Sequence, residues 1–130
     1  MQELYEFLKK CRVYYLATVE GDRPRVRPFG TIDLFEGRLY IQTGKRKAVS
    51  HQIEQNPNVE LCAYDGEQWV RVRGVLVRDE RVEAKRHMLD QYPKLRGRYS
   101  EEDDNTEVLC FAEAEAEYYS HTEIVKTVRF

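Results

Sequence analysis

The chain opens on a helical period. Leu4, Tyr5 and Leu8 recur three to four residues apart within residues 2–10, marking one face of a short amphipathic helix. The period then changes to two. Val13–Val19 is rich in β-branched and aromatic residues and stops at Glu20-Gly21-Asp22, a strand running into a turn. Arg25–Asp33 follows as a second strand, Glu36-Gly37 as another turn and Arg38–Thr43 as a third strand. Two hairpins in succession predict an antiparallel meander or barrel. Gly44 interrupts the alternation. Within Lys45–Gln55, Val49 and Ile53 stand four apart, which suits a short helix that Asn56-Pro57 ends, because the residue before proline disfavours helical angles. Val59–Tyr64 and Gln68–Val77 are predicted strands joined at Asp65-Gly66, a two-residue hairpin dipeptide. In the second of them Trp69, Arg71 and Arg73 share one face, and Val70, Val72 and Leu76 the other. Asp79–Tyr92 reads as a helix with Asp79 as its N-cap and Pro93 beyond its end. Residues 100–105 form an acidic, solvated loop. Glu107–Ala112 and Ala114–Ser120 are predicted strands, and Thr127–Phe130 an extended tail. The sum is a mainly β fold: a small β-barrel of about six or seven antiparallel strands with two or three short helices, in a single domain over residues 1–130.

Composition narrows the function. A chain of 130 residues can bury one core without staples. No stretch approaches the roughly 20 apolar residues of a membrane span, so no membrane partner is expected. An acidic residue stands at position 3 and no small-residue cleavage site follows, so no signal peptide is expected and the protein is placed in the cytoplasm. Cys11, Cys62 and Cys110 make no C-x-x-C pair and fit three reduced thiols. His51, His87 and His121 are scattered, so no metal site is expected. Lys plus Arg number 21 against 23 Asp plus Glu, a balance that disfavours general nucleic-acid binding.

The informative region runs from Arg23 to Lys47. Arg23, Arg25 and Arg27 alternate with Pro24, Val26 and Pro28, so on a strand their guanidinium groups share one face. Two prolines cannot donate to a ladder, which assigns the segment to a sheet edge. Three like charges on one face repel unless an anion binds there or the face is fully solvated, and spacing alone leaves both open. Thr43-Gly44-Lys45-Arg46-Lys47 then passes from strand into helix. Helix N-termini carry unpaired N–H groups and partial positive charge, so a basic run there makes sense if a phosphate compensates it. Tyr14, Tyr15, Phe29, Tyr40 and Trp69 are available to cover an apolar ring.

The succession Y-Y-L-A-T-V-E-G-D-R-P-R-V-R-P-F-G, then G-R-L-Y-I-Q-T-G-K-R-K-A-V-S-H-Q-I-E-Q-N-P, with the later W-V-R-V-R-G-V-L-V strand, resembles the pyridoxamine 5′-phosphate oxidase-like, FMN-binding split-barrel family over nearly the whole chain. The Y-Y-S and K-T-V-R-F ending is most similar to its short, nitroimidazole-resistance-like members. The resemblance implies an FMN-binding split barrel and a homodimer with cofactor sites at the interface. By residue, it implies that Arg25, Val26, Arg27, Pro28 and Phe29 lie along the flavin and offer an Arg to the phosphate. Gln42 and Thr43 contact the cofactor at a strand end, Lys45, Arg46 and Lys47 form the phosphate turn, and Trp69 stands near the flavin. The implied activity is an FMN-dependent oxidoreductase that passes hydride or electrons from a reduced nicotinamide to a small-molecule acceptor, with no obligatory protein acid or base. The C-terminal Arg- and Trp-bearing segment of the vitamin B6 oxidases has no counterpart here, so oxidation of pyridoxamine phosphate itself is not expected. A non-catalytic flavin- or haem-binding module is the alternative. A nucleic-acid-binding barrel using Arg25, Arg27, Arg71, Arg73 and Trp69 is disfavoured by the charge balance.

Overall fold

The computed structural model describes Met1–Phe130 throughout. Its strands follow the period-two pattern. In β1 (Tyr14–Glu20) the residues Tyr14, Leu16 and Thr18 point inward and are buried, while Tyr15 between them is exposed. β2 (Arg23–Phe29) pairs only with β1, placing Pro24 and Pro28 opposite Val19 and Tyr15 at the sheet edge. The expected second strand to Asp33 instead breaks after Phe29. A separate three-residue strand, β3 (Asp33–Phe35), turns at Glu36-Gly37 onto β4 (Arg38–Gly44). β5 (Asn58–Tyr64) and β6 (Gln68–Asp79) form the next hairpin. Its loop is wider than two residues: the Asp65 carboxylate accepts the N–H groups of Glu67 and Gln68.

β7 (Thr106–Ser120) is the longest strand and carries three partners. β6 runs along its whole length on one side. On the other side β4 pairs with its first part and β8 (Glu123–Arg129) with its last. The two strands expected at 107–112 and 114–120 are therefore one, interrupted by a bulge. Glu113 takes a positive φ of 49°, and Ala114 exchanges backbone hydrogen bonds with Phe130. Gly74 faces the bulge, where a Cβ would stand 2.8 Å from the Ala114 Cβ. Only glycine allows that approach. The result is one eight-stranded antiparallel sheet in the order β2-β1-β5-β6-β7-β4-β3, with β8 on β7.

The sheet wraps around twenty buried residues, including Leu16, Ile41, Leu61, Val70, Val72 and Leu109. α1 (Gln2–Cys11) adds Leu4 and Leu8 to this core, and α2 (Ala48–Gln55) adds Val49 and Ile53. α3 (Val82–Gln91) seats Ala84 and Met88 on a second cluster with Tyr40, Val108 and Cys110. Its N-terminus lies later than the sequence suggests. Asp79 is the last residue of β6 rather than the cap, and its carboxylate accepts the Tyr40 hydroxyl at 2.8 Å and the Arg81 N–H at 3.1 Å. A 3-10 helix over Pro93–Gly97 follows. No helix is long and apolar enough to cross a membrane.

Candidate functional site

The register of β1 on β2 decides which way the arginines face. Arg27 lies opposite Leu16 and Arg25 opposite Thr18, both inward-facing positions, so the arginine face is the inner one. Arg27 lines a cavity of about 780 Å³, within the usual size of small-molecule sites. Pro28, Phe29 and Thr31 continue its wall. Gln42 and Thr43 come from the end of β4, Lys47 and Val49 from the start of α2, and Tyr92, Lys94, Arg98 and Tyr99 from the segment after α3.

Buried hydrogen bonds fix this wall. Tyr14 donates to the Thr31 carbonyl at 2.6 Å, and the Thr31 hydroxyl accepts the Gln42 N–H at 3.1 Å. Tyr92 brackets Ile32, donating to its carbonyl and accepting its N–H, both at 3.0 Å. Burial raises the pKa of Tyr14 well above the ordinary phenol value and also raises that of Tyr92, so both remain neutral hydroxyls. Gly44 lets the Tyr99 ring close over the end of β4; a Cβ there would meet that ring at 3.1 Å. Ser50 donates to the buried Glu107 carboxylate at 2.7 Å, and Arg78 pairs with the same carboxylate, which pins α2 to β7.

The electrostatics are one-sided. Arg27, Lys47, Lys94 and Arg98 line the cavity and no carboxylate does. Arg27 donates to the Leu16 carbonyl at 3.2 Å, the Thr18 hydroxyl at 2.8 Å and the Gln52 amide oxygen at 2.6 Å, all neutral acceptors. Burial, with the neighbouring Arg25 charge, lowers the pKa of its guanidinium. Lys47 caps α2 without any side-chain hydrogen bond to the first helical turn. The Thr43 Oγ1 is buried and has no hydrogen-bond partner. An orphaned hydroxyl, an arginine without a carboxylate and the open end of a helix thus line one cavity, and each is a donor of the kind an oxyanion accepts from.

Of the residues singled out from sequence, the structure gathers Arg27, Pro28, Phe29, Gln42, Thr43 and Lys47 around this cavity. The others lie elsewhere in the chain's own fold. Arg25 is exposed and 3.9 Å from Glu20. Val26 is on the opposite face of β2, 67% exposed. Lys45 pairs with Glu80 at 3.1 Å. Arg46 is exposed, and its N–H donates to the Asn105 side chain. Trp69 stacks on Tyr119 with ring centroids 3.9 Å apart, and its indole N–H donates to the His121 carbonyl. His51 is exposed and lies in a side groove with Glu20 and Gln55. Lys94, Arg98 and Tyr99 were not singled out. They follow a helix with no spacing signature that would direct them to strands sixty residues earlier, although Pro93 marks the break that turns the chain there.

The sequence model of the pyridoxamine 5′-phosphate oxidase family matches residues 1–120. No curated protein matches the chain. Among solved structures it is similar to a NimC/NimA family protein of Clostridium acetobutylicum, with 40% identity, 100% of this chain and 93% of that one covered, and a TM-score of 0.94. It shares its split-barrel fold with a pyridoxamine 5′-phosphate oxidase-related, FMN-binding protein of Nostoc punctiforme, at 18% identity, TM-score 0.68 and coverage of 98% and 84%. A haem-binding protein of Mycobacterium smegmatis has that fold too, at 16% identity, TM-score 0.70 and coverage of 94% and 57%. A family match over residues 1–120, together with a relative 40% identical along the full chain, means that the chain belongs to the pyridoxamine 5′-phosphate oxidase family.

Proposed function

We propose that the cavity between β2, β4 and α2 binds FMN and that the protein is an FMN-dependent oxidoreductase acting on a small molecule in the cytoplasm. The observation that carries this reading is the buried, unpartnered hydroxyl of Thr43, which lines the same cavity as Arg27 and Lys47. Those groups fit a phosphate dianion: two cations and a hydroxyl donor, with no carboxylate opposing them. Phe29, Tyr92 and Tyr99 supply apolar surface for a ring. A bound flavin would supply the redox chemistry, accepting hydride from a reduced nicotinamide and passing electrons to a small acceptor. The residues of this chain bind and orient. Arg27 and Lys47 hold the phosphate, and Pro28 and Phe29 lie along the flavin.

The reading includes a homodimer. The outer face of β2, β1, β5 and β6 leaves Val26, Tyr15, Cys62 and Tyr64 exposed in neighbouring register, an apolar stripe bordered on the same face by the Glu60–Arg71 ion pair at 3.2 Å. Trp69 stands on this same outer face. It therefore reaches a flavin only across a subunit interface.

The test is the visible spectrum of the freshly purified protein, with mass identification of any released chromophore. A flavin double band and released FMN are expected. A Soret band would move the protein to haem binding, as for the mycobacterial protein of the same fold. A colourless protein that takes up no added FMN would remove the oxidoreductase reading.

A further inference from the structure

Arg27 is held by a network that its cofactor role alone does not require. The Gln52 side chain is buried beneath it, 5% exposed. Its amide oxygen accepts from the Arg27 Nη2 at 2.6 Å and from the Thr18 hydroxyl at 2.6 Å. Its amide nitrogen donates to the Glu20 carboxylate at 3.2 Å. The charges on either side dictate this orientation: the opposite one would set an NH₂ against a guanidinium and an oxygen against a carboxylate. Gln52 thus stands between the cation and the anion nearest to it. Glu20 is satisfied by Gln52 and by the exposed Arg25, and makes no ion pair with Arg27.

The donor inventory of Arg27 gives this spacing a consequence. A guanidinium has five N–H groups. Leu16, Thr18 and Gln52 take both on Nη1 and one on Nη2, leaving the Nε–H and the second Nη2–H without a protein acceptor. A carboxylate in direct contact would take those donors as a bidentate pair and cancel the charge. Three neutral acceptors instead fix the side chain and leave its charge for the cavity.

We propose that Gln52 is a positioning residue, a neutral spacer that orients Arg27 toward the cavity and keeps Glu20 off it, making the site selective for a phosphate-bearing flavin. This rests on the reading that the cavity binds FMN. The experiment compares FMN with riboflavin by fluorescence titration of flavin-free protein, taking the ratio of their dissociation constants as the readout. Wild-type protein is expected to prefer FMN by at least about tenfold, the worth of one charge-assisted bond. Equal affinities in the wild type would overturn the FMN reading itself. Gln52→Glu places a carboxylate 2.6 Å from the guanidinium, and the ratio is expected to fall about tenfold while riboflavin affinity changes less than about twofold. An unchanged ratio in that variant, with the wild-type preference intact, would overturn the spacer. Gln52→Leu supplies a second route that adds no buried charge. It opens Arg27 to Glu20, so the ratio falls, and adding Glu20→Gln is expected to restore it. A purely structural role for Gln52 predicts no such rescue, so failure of the double variant to recover the ratio would also overturn the spacer.

Discussion

At the residue scale, Thr43 is the position where two effects of opposite sign are separable. Its buried hydroxyl has no partner, and an unsatisfied buried donor costs roughly 1–3 kcal/mol. Thr43→Val keeps the shape and removes the polar group. The flavin-free variant is expected to gain about 1 kcal/mol in urea unfolding, while its FMN affinity falls. A variant that loses stability and binds FMN unchanged would separate the hydroxyl from any ligand. Lys47 and Arg27 predict a different pattern, because each would lose a charge-assisted phosphate bond worth about 1.5–3 kcal/mol. In Lys47→Ala and Arg27→Ala, FMN binding is expected to weaken by roughly that amount and riboflavin binding far less. Equal losses for both flavins would remove these residues from the phosphate. Arg27 and Lys47 were legible in sequence because a strand alternates and a strand-to-helix junction is local, whereas Lys94 and Arg98 carry no such signal and Arg25, Lys45 and Arg46 lie away from the cavity. Gln52 was not legible, since its partners are Thr18, Glu20 and Arg27, and only tertiary packing of α2 on β1 brings them together.

At the element scale, the edges and ends that prolines mark read well and interruptions did not. The prolines of β2 announced an edge strand, and Asn56-Pro57 the end of α2, because each acts on its own backbone. The bulge at Glu113 joins two expected strands into one. It depends on Gly74 across the ladder, which no local pattern reveals. Asp79 has the residue type of a helix cap, but its carboxylate is taken by Tyr40 and Arg81. The 100–105 loop is likewise more than a solvated acidic run. Burial alone would raise the Asp103 pKa, but the N–H groups of Thr106, Asn105 and Ser100 outweigh it and hold the carboxyl at about 2, below its ordinary 3.8. A folded pKa below the unfolded one stabilises the protein above the unfolded value, and that stability is lost as pH falls toward the folded value. Asp103→Asn is therefore expected to melt lower than wild type at neutral pH, with the gap closing between pH about 4 and about 2. Thermal melts across that range check it. A gap independent of pH would mean that the loop draws its order from the oxygen acceptor and not from the charge.

At the scale of the whole molecule, one strand joins the cavity to the outer surface. Because side chains alternate along β2, Arg27 lines the cavity while Val26, one residue earlier, projects from the opposite face. Val26 lies opposite Ala17, and Tyr15 opposite Pro28 and Cys62, so the apolar stripe runs behind the strand that holds the arginine. A partner subunit packed there would stiffen β2, which otherwise pairs on one side only. Edge strands are the least constrained part of a sheet, and a site wall built on one gains order when its back is covered. Val26→Glu puts a carboxylate at the β2 end of that stripe without touching the cavity. Burying it unpaired costs several kcal/mol, more than enough to shift a dimer of moderate affinity to monomer. Light scattering is expected to show a dimer for the wild type and a monomer for the variant, and FMN affinity is expected to fall with the loss of the dimer. A Val26→Glu protein that remains dimeric would move the interface off this face. One that becomes monomeric and binds FMN as tightly as before would show that a single subunit completes the site.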